Sequence, residues 1–311
     1  MKYVESHGLN MSVFSLGTVQ LGMNYGVTGK TEKPSEQYAH AMLDRALAVG
    51  VNNLDTANNY GDSERVIGSW LARIPEDKRP LIVTKIGPFD HSSPEVLRAD
   101  MIAQAHKCLE TLGVDSVDIL MLHNFEDYIA DPEIVRSTVA ELKEQGIAKK
   151  TAVSAYSYHD YNVIAASGFD AVQLPLNVFD WGRIEDGGIR AIADAGMMIF
   201  VRSVFLQGLV FMTPEQLDPR MSFAAPYLAR FHELAESFGM AGDVLAASFV
   251  LSVPGVTTVV LGCQTPEQIE SNAALMDKVR RLTDEEMSLL REAFVNIDER
   301  VINPRVWFNH T

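Results

Sequence analysis

The chain has 311 residues, 47% hydrophobic and 22% charged, an ordinary globular composition. Its net charge of -15 repels nucleic acid and anionic membranes, so neither is expected as a partner. The two cysteines, Cys108 and Cys263, stand far apart in no CxxC spacing, which argues against a disulfide framework and for a reducing, cytoplasmic setting. The N-terminus carries no apolar signal-peptide core, and no run of about 18 apolar residues is present to span a membrane. A single domain is expected.

The first residues, MKYVESHGLNMSVFSLG, place His7 and Gly8 between two short extended runs and read as a β-hairpin. Eight β-rich apolar runs follow: VFSLGT (13–18), VNNLDT (51–56), LIVTKI (81–86), DILMLH (118–123), TAVSAY (151–156), AVQLPL (171–176), MIFVRS (198–203) and VTTVVLG (256–262). They are nearly continuous in apolar residues, as parallel strands covered on both faces must be. Most gaps between them are long enough for a helical crossover. In PSEQYAHAMLDRALAVG, Ala39, Met42, Leu43, Ala46 and Leu47 form an apolar stripe that Gly50 ends. In SSPEVLRADMIAQAHKCLETLG, Ser93 caps, Pro94 takes the first helical position and Gly113 stops the helix. The gap from 204 to 255 is the long one; it holds a further helical stretch, PYLARFHELAESFG, and a loop expected over the barrel mouth. Eight strand–helix units without a G-x-G-x-x-G turn predict a (β/α)8 TIM barrel rather than an open dinucleotide-binding sheet, with the hairpin closing its floor and extra helices at the C-terminus.

Active sites of such barrels lie at the C-terminal strand ends. The polar residues there are Thr18, Asp55, Lys85, His123, Ser154 and Arg202, with Gly262 ending the last run and Gln173 in mid-run. Three consecutive strands thus end in Asp, Lys and His, and Tyr60 follows Asp55 by five residues. A phenol is a weak acid at neutral pH, ordinarily losing its proton only near pH ~10. An ammonium beside it favours phenolate, and a carboxylate keeps a buried ammonium charged. Asp55, Lys85 and Tyr60 therefore read as a general acid for carbonyl reduction, with His123 orienting the carbonyl oxygen.

The segments LDTANNYG, VTKIG, LMLHN, TAVSAYS and VLGCQTPEQIESN resemble the aldo-keto reductase superfamily, in order and spacing, over nearly the whole chain. The resemblance implies a barrel that binds a nicotinamide dinucleotide without a Rossmann domain, and a catalytic tetrad of Asp55, Tyr60, Lys85 and His123. It implies carboxamide contacts from Ser154 and Gln173, with Ala155 where the family commonly has Asn. Arg202 and Ser203 stand where a Tyr commonly stacks under the nicotinamide, and Leu206 and Gly208 fall along the pyrophosphate. Gly17, Thr18 and Asp55, at the ends of the first two runs, and Gly262, Gln264, Gln268 and Asn272, around a helix N-terminus capped by Thr265, complete the implied cofactor set. Gly262 and Gln268 replace the basic residues of many NADPH-preferring members. Family precedent puts NADPH first and NADH close behind, with a small-molecule aldehyde, ketone or sugar as substrate.

Two other functions fit parts of the pattern. Lys85 could serve as the nucleophile of a Schiff-base aldolase or lyase, although that leaves Tyr60 and GCQTPEQIESN without a role. A non-catalytic NAD(P)-sensing regulatory subunit would need the cofactor residues but not an intact tetrad. Elsewhere, His40, His106, His159 and His232 read as surface or satisfied histidines, and Glu126 and Asp127 as loop surface. Met23, Asn24, Tyr25 and Trp181 suit pocket lining or loop packing equally, and Trp307 or Phe308 could cap the pocket or pack.

Overall fold

The computed structural model describes residues 1–25 and 32–307. β1 (Tyr3–Ser6) and β2 (Leu9–Ser12) pair antiparallel, joined by His7 and Gly8 at φ 53° and 77°. Two left-handed residues in a two-residue loop give the twist a tight hairpin needs. Eight parallel strands then close a barrel: β3 (Phe14–Gly17), β4 (Asn53–Asp55), β5 (Leu81–Ile86), β6 (Val117–Leu122), β7 (Ala148–Ser154), β8 (Ala171–Pro175), β9 (Met198–Arg202) and β10 (Val256–Gly262). The order around the barrel follows the chain, with β10 pairing β3 to close the ring. All eight predicted runs are barrel strands.

The barrel has two apolar layers. Inside, Val83, Ile119, Met121, Ala152, Ala171, Met198 and Phe200 pack with Leu9 and Met11 of the hairpin. The hairpin therefore plugs the N-terminal end, as the alternation of Leu9 and Met11 on one strand face requires. Outside, the outward strand residues pack against the helices. The helix Glu36–Ala48 buries Ala39, Met42, Leu43 and Ala46. The helix Pro94–Leu112 is capped by Ser93, which accepts from the Val96 N–H, and ends at Gly113, φ 65°. A Cβ is disfavoured at that angle, which is why glycine stops the helix there.

Between β9 and β10 the chain makes three short 3-10 turns before the helices Ala225–Ser237 and Gly242–Ser252. The C-terminal helices Asp284–Phe294 and Glu299–Ile302 follow the last crossover helix, Pro266–Lys278. Among the described residues no single helix is long and apolar enough to cross a membrane.

Candidate active site

Asp55 ends β4, Lys85 lies one residue before the end of β5, and His123 directly follows β6. Adjacent parallel strands bring these ends to one rim. Lys85 is wholly buried and donates from Nζ to Asp55 Oδ1 at 2.6 Å and to the Thr56 carbonyl at 3.0 Å. The same Nζ stands 5.1 Å from the centre of the Tyr60 ring. Tyr60 and His123 meet edge to face, 5.6 Å apart at 79°. The four side chains singled out on the sequence thus form one cluster at the barrel mouth.

Their electrostatics follow from burial and charge. Burial works against the Lys85 ammonium, but the Asp55 carboxylate and the Tyr60 hydroxyl outweigh it and hold its pKa above the ordinary lysine value. Burial pushes the Tyr60 pKa up; the Lys85 charge opposes the rise without cancelling it. The lowered phenol pKa expected from the sequence is therefore not what this site holds. Water exclusion, which a sequence does not display, prevails over the ammonium. His123 is pushed down to about 4, first by burial and then by the Lys85 and Arg202 charges, so its ring is neutral near pH 7. Its Nδ1 is buried without a hydrogen-bond partner among the described residues.

The loop that carries Tyr60 is tied down at several points. The Asn58 N–H donates to the Lys85 carbonyl at 3.0 Å, and the Asp62 N–H to the Gly22 carbonyl at 3.2 Å. Gly22 is a residue the sequence reading missed. A Cβ there would lie 1.8 Å from the Tyr60 carbonyl and 2.5 Å from the Ser63 nitrogen, so only glycine allows this approach. Below it, Thr56 donates to Ser63 at 2.9 Å, Ser63 reaches Thr18 at 2.8 Å, and Thr18 donates to the Asp55 carbonyl at 2.9 Å. This hydroxyl chain anchors the start of the loop beneath the carboxylate. The only signal for it was the clustering of small polar residues in LGT, LDT and GDSE.

The strand-end members of the implied cofactor set, Gly17, Thr18, Ser154, Arg202 and Gly262, lie at the same end of the barrel. Gly17 pairs with Asp55 and Gly262, and Ser154 pairs with Gln173 across β7 and β8. Thr265 caps the 13-residue helix Pro266–Lys278 by accepting from the Gln268 N–H. The Gln268 side chain folds back to accept from the Gln264 N–H at 2.7 Å. Asn272 donates to the buried Cys263 sulfur at 3.3 Å. A Cβ on Gly262 would meet the Gln20 side-chain amide at 2.3 Å, so glycine here lets Gln20 lie directly against the end of β10. After β9, Ser203, Leu206, Gln207 and Gly208 adopt φ of 64°, 44°, 55° and 90°. Three of the four non-glycine residues with positive φ among the described residues lie in this stretch. Such a run costs roughly 1–3 kcal/mol per strained residue, and the loop bonds to itself, the Leu206 N–H donating to the Ser203 carbonyl at 3.0 Å and the Gly208 N–H to the Phe205 carbonyl at 2.9 Å.

A profile of the aldo/keto reductase family matches residues 14–294, the whole barrel and nearly the whole chain. The chain belongs to the aldo/keto reductase family. It is 26% identical over 306 residues to aldo-keto reductase str7 of Strobilurus tenacellus, spanning 89% of this chain and 86% of that one. It is 22% identical to the NADH-specific methylglyoxal reductase of Escherichia coli, over 91% of this chain and 95% of that one. The fold matches the holo form of aldo-keto reductase AKR11C1 from Bacillus halodurans with a TM-score of 0.77, at 22% identity, over 97% of this chain and all of that one. Family membership makes this protein an oxidoreductase that uses a nicotinamide cofactor.

Several side chains of this aldo-keto reductase differ from their sequence expectation. The Gln173 amide, implied by the resemblance as a carboxamide contact, donates to Asp55 Oδ2 at 2.7 Å, a partner the sequence did not indicate. The Arg202 guanidinium lies 4.6 Å from the Tyr156 ring centre and donates to the Ala155 carbonyl at 3.0 Å, so one of its faces is already covered. Asp127 is buried rather than loop surface, bonded to His91 at 2.9 Å, because the helix Phe125–Ala130 folds its side chain inward. Trp181 packs against Phe249, and Trp307 is buried and donates to the Arg300 carbonyl at 2.8 Å, so both are packing residues. Met23 and Tyr25 are exposed, and Asn24 accepts from the Lys33 N–H. Phe308 lies outside the described residues. His40, His159 and His232 are hydrogen-bonded, and His106 is exposed, as their positions in the sequence lead one to expect.

Proposed function

We propose that this protein reduces the carbonyl of a small aldehyde, ketone or sugar to an alcohol, with Tyr60 as the general acid. The observation that carries the reading is the wholly buried Lys85, bonded to Asp55 at 2.6 Å and set beside the Tyr60 ring. When bound, the reduced nicotinamide supplies the hydride that attacks the carbonyl carbon. The residues of the chain supply the rest. The raised Tyr60 pKa keeps its hydroxyl protonated until the oxygen gains charge, and the Lys85 ammonium then stabilises the phenolate left behind. His123, neutral, donates one N–H to the carbonyl oxygen without competing for the proton. A desolvated site strengthens each of these interactions.

Gly17, Thr18, Asp55, Ser154, Gln173, Arg202, Ser203, Leu206, Gly208, Gly262, Gln264, Gln268 and Asn272 are the proposed cofactor contacts. The Thr265-capped helix supports the phosphate end of this set. NADPH remains the first cofactor on family grounds. Gln268, folded onto its own helix terminus, offers a 2′-phosphate no charge, so discrimination against NADH is small. A Schiff-base role for Lys85 is disfavoured because its raised pKa keeps it protonated, and an ammonium is no nucleophile.

The test follows the reduced-nicotinamide absorbance with NADPH and NADH against a panel of aldehydes, ketones and sugars. Turnover of at least one class is expected. A borohydride-trapped adduct on Lys85, or cofactor binding without turnover across the panel, would overturn the reading.

A further inference from the structure

Gln173 and Asp55 are 118 residues apart and sit on β8 and β4. In the barrel order those strands are separated by β5, β6 and β7 on one side and by β9, β10 and β3 on the other. Their contact therefore spans the barrel interior. Both residues are 2% exposed. Asp55 has its two oxygens committed to different partners, Oδ1 to Lys85 at 2.6 Å and Oδ2 to Gln173 Nε2 at 2.7 Å. With one donor on each oxygen, the carboxylate cannot rotate without breaking a buried hydrogen bond. A carboxylate paired with an ammonium only accepts, so the Gln173 NH2 must face it, and Oε1 is left as the acceptor on the other side of the amide.

We propose that Gln173 is a positioning residue of the catalytic pair: it holds the Asp55 carboxylate from across the barrel, so that Asp55 keeps Lys85 charged beside Tyr60. The proposal rests on the carbonyl-reduction reading for its kinetic consequences, not for its geometry. A glutamine that served the cofactor alone would gain nothing from this contact. Removing the donor leaves Asp55 Oδ2 buried without a partner, and the carboxylate is free to turn towards whatever water enters. The ammonium then loses the alignment of its counter-charge, and proton transfer from Tyr60 slows. A hydrogen bond to a charged group contributes enough that its loss corresponds to roughly a tenfold to hundredfold change in rate.

Two variants test this. Gln173→Met keeps the volume and removes the donor; kcat is expected to fall roughly tenfold to a hundredfold across pH 5 to 9. Gln173→Glu places a second carboxyl against Asp55. Two carboxyls at that separation do not both ionise, and the introduced one donates only while it holds a proton. Activity of Gln173→Glu is therefore expected to recover towards acid pH and to fall as pH rises, whereas Gln173→Met shows no such recovery. A role limited to filling space would not produce acid rescue. A crystal structure of Gln173→Met without cofactor supplies the second readout, with Asp55 expected to turn away from Lys85.

An unmoved Asp55–Lys85 pair in that crystal would overturn the proposal. So would a Gln173→Met enzyme that loses cofactor affinity at full kcat, or a Gln173→Glu enzyme without acid rescue. A native protein inactive on every carbonyl would sink the functional reading instead, and the crystal would still decide the positioning role.

Discussion

Lys85→Met isolates the electrostatic core of the site. The substitution keeps the aliphatic stem and removes the ammonium, leaving Asp55 Oδ1 and the Thr56 carbonyl without their donor. Both lie in a region where Lys85 itself is 0% exposed, so water does not replace the lost partner cheaply. Breaking a buried pair from one side costs about 3–5 kcal/mol. Against a whole-domain stability of about 5–15 kcal/mol, that is a drop of about two to four decades in the folding equilibrium constant. The double variant Asp55→Asn/Lys85→Met removes both charges and keeps an oxygen for the Gln173 amide. It is expected to recover about 2 kcal/mol of the single variant's loss, the size of coupling seen between contacting groups. The pH dependence has a definite sign. A buried carboxylate without its counter-charge binds a proton more readily than an exposed one, so the folded single variant takes up protons before the unfolded chain does. Its deficit relative to the native protein therefore shrinks as pH falls and grows as pH rises. Urea unfolding followed by tryptophan fluorescence at pH 5 and pH 8 measures all of this. A single-variant deficit under about 1 kcal/mol, or strictly additive single effects, would refute the claim that Asp55 and Lys85 stand as a buried, mutually dependent pair.

Three further outcomes follow from the same geometry. Tyr60→Phe should lower kcat by roughly 10²–10⁴ while the cofactor Kd, read by fluorescence quenching, stays within about twofold; near-native turnover would reassign the acid. Gln268→Arg should raise the NADPH-to-NADH preference by about tenfold, the worth of one charge-assisted contact to a phosphate, and an unchanged ratio would place the 2′-phosphate elsewhere. Gly22→Ala drives a Cβ to within 1.8 Å of the Tyr60 carbonyl, so stability should fall by about 1–3 kcal/mol and kcat by an order of 10² as the loop shifts. A stable variant with native kcat would show that this contact does not fix the tyrosine.

The sequence by itself determined the strands, their number and the residues at their ends. Runs such as LIVTKI and DILMLH are apolar on both faces, which only a covered parallel sheet tolerates, and Gly50 and Gly113 stop helices through backbone angles set locally. Asp55, Lys85 and His123 were legible because a strand end is a local feature, and consecutive strands of a barrel are neighbours. The tertiary structure alone decided the rest. Whether Tyr60 is a stronger or weaker acid than a free phenol depends on how much water reaches it, and burial outweighs the ammonium beside it. Gln173 finds Asp55 over 118 residues only once the ring closes. Arg202 lies over Tyr156, and Asp127 turns inward, because of neighbours supplied by other loops. Local chemistry is written in the chain, whereas desolvation and contacts across the barrel are properties of the closed shape and have no pattern in a single segment to betray them.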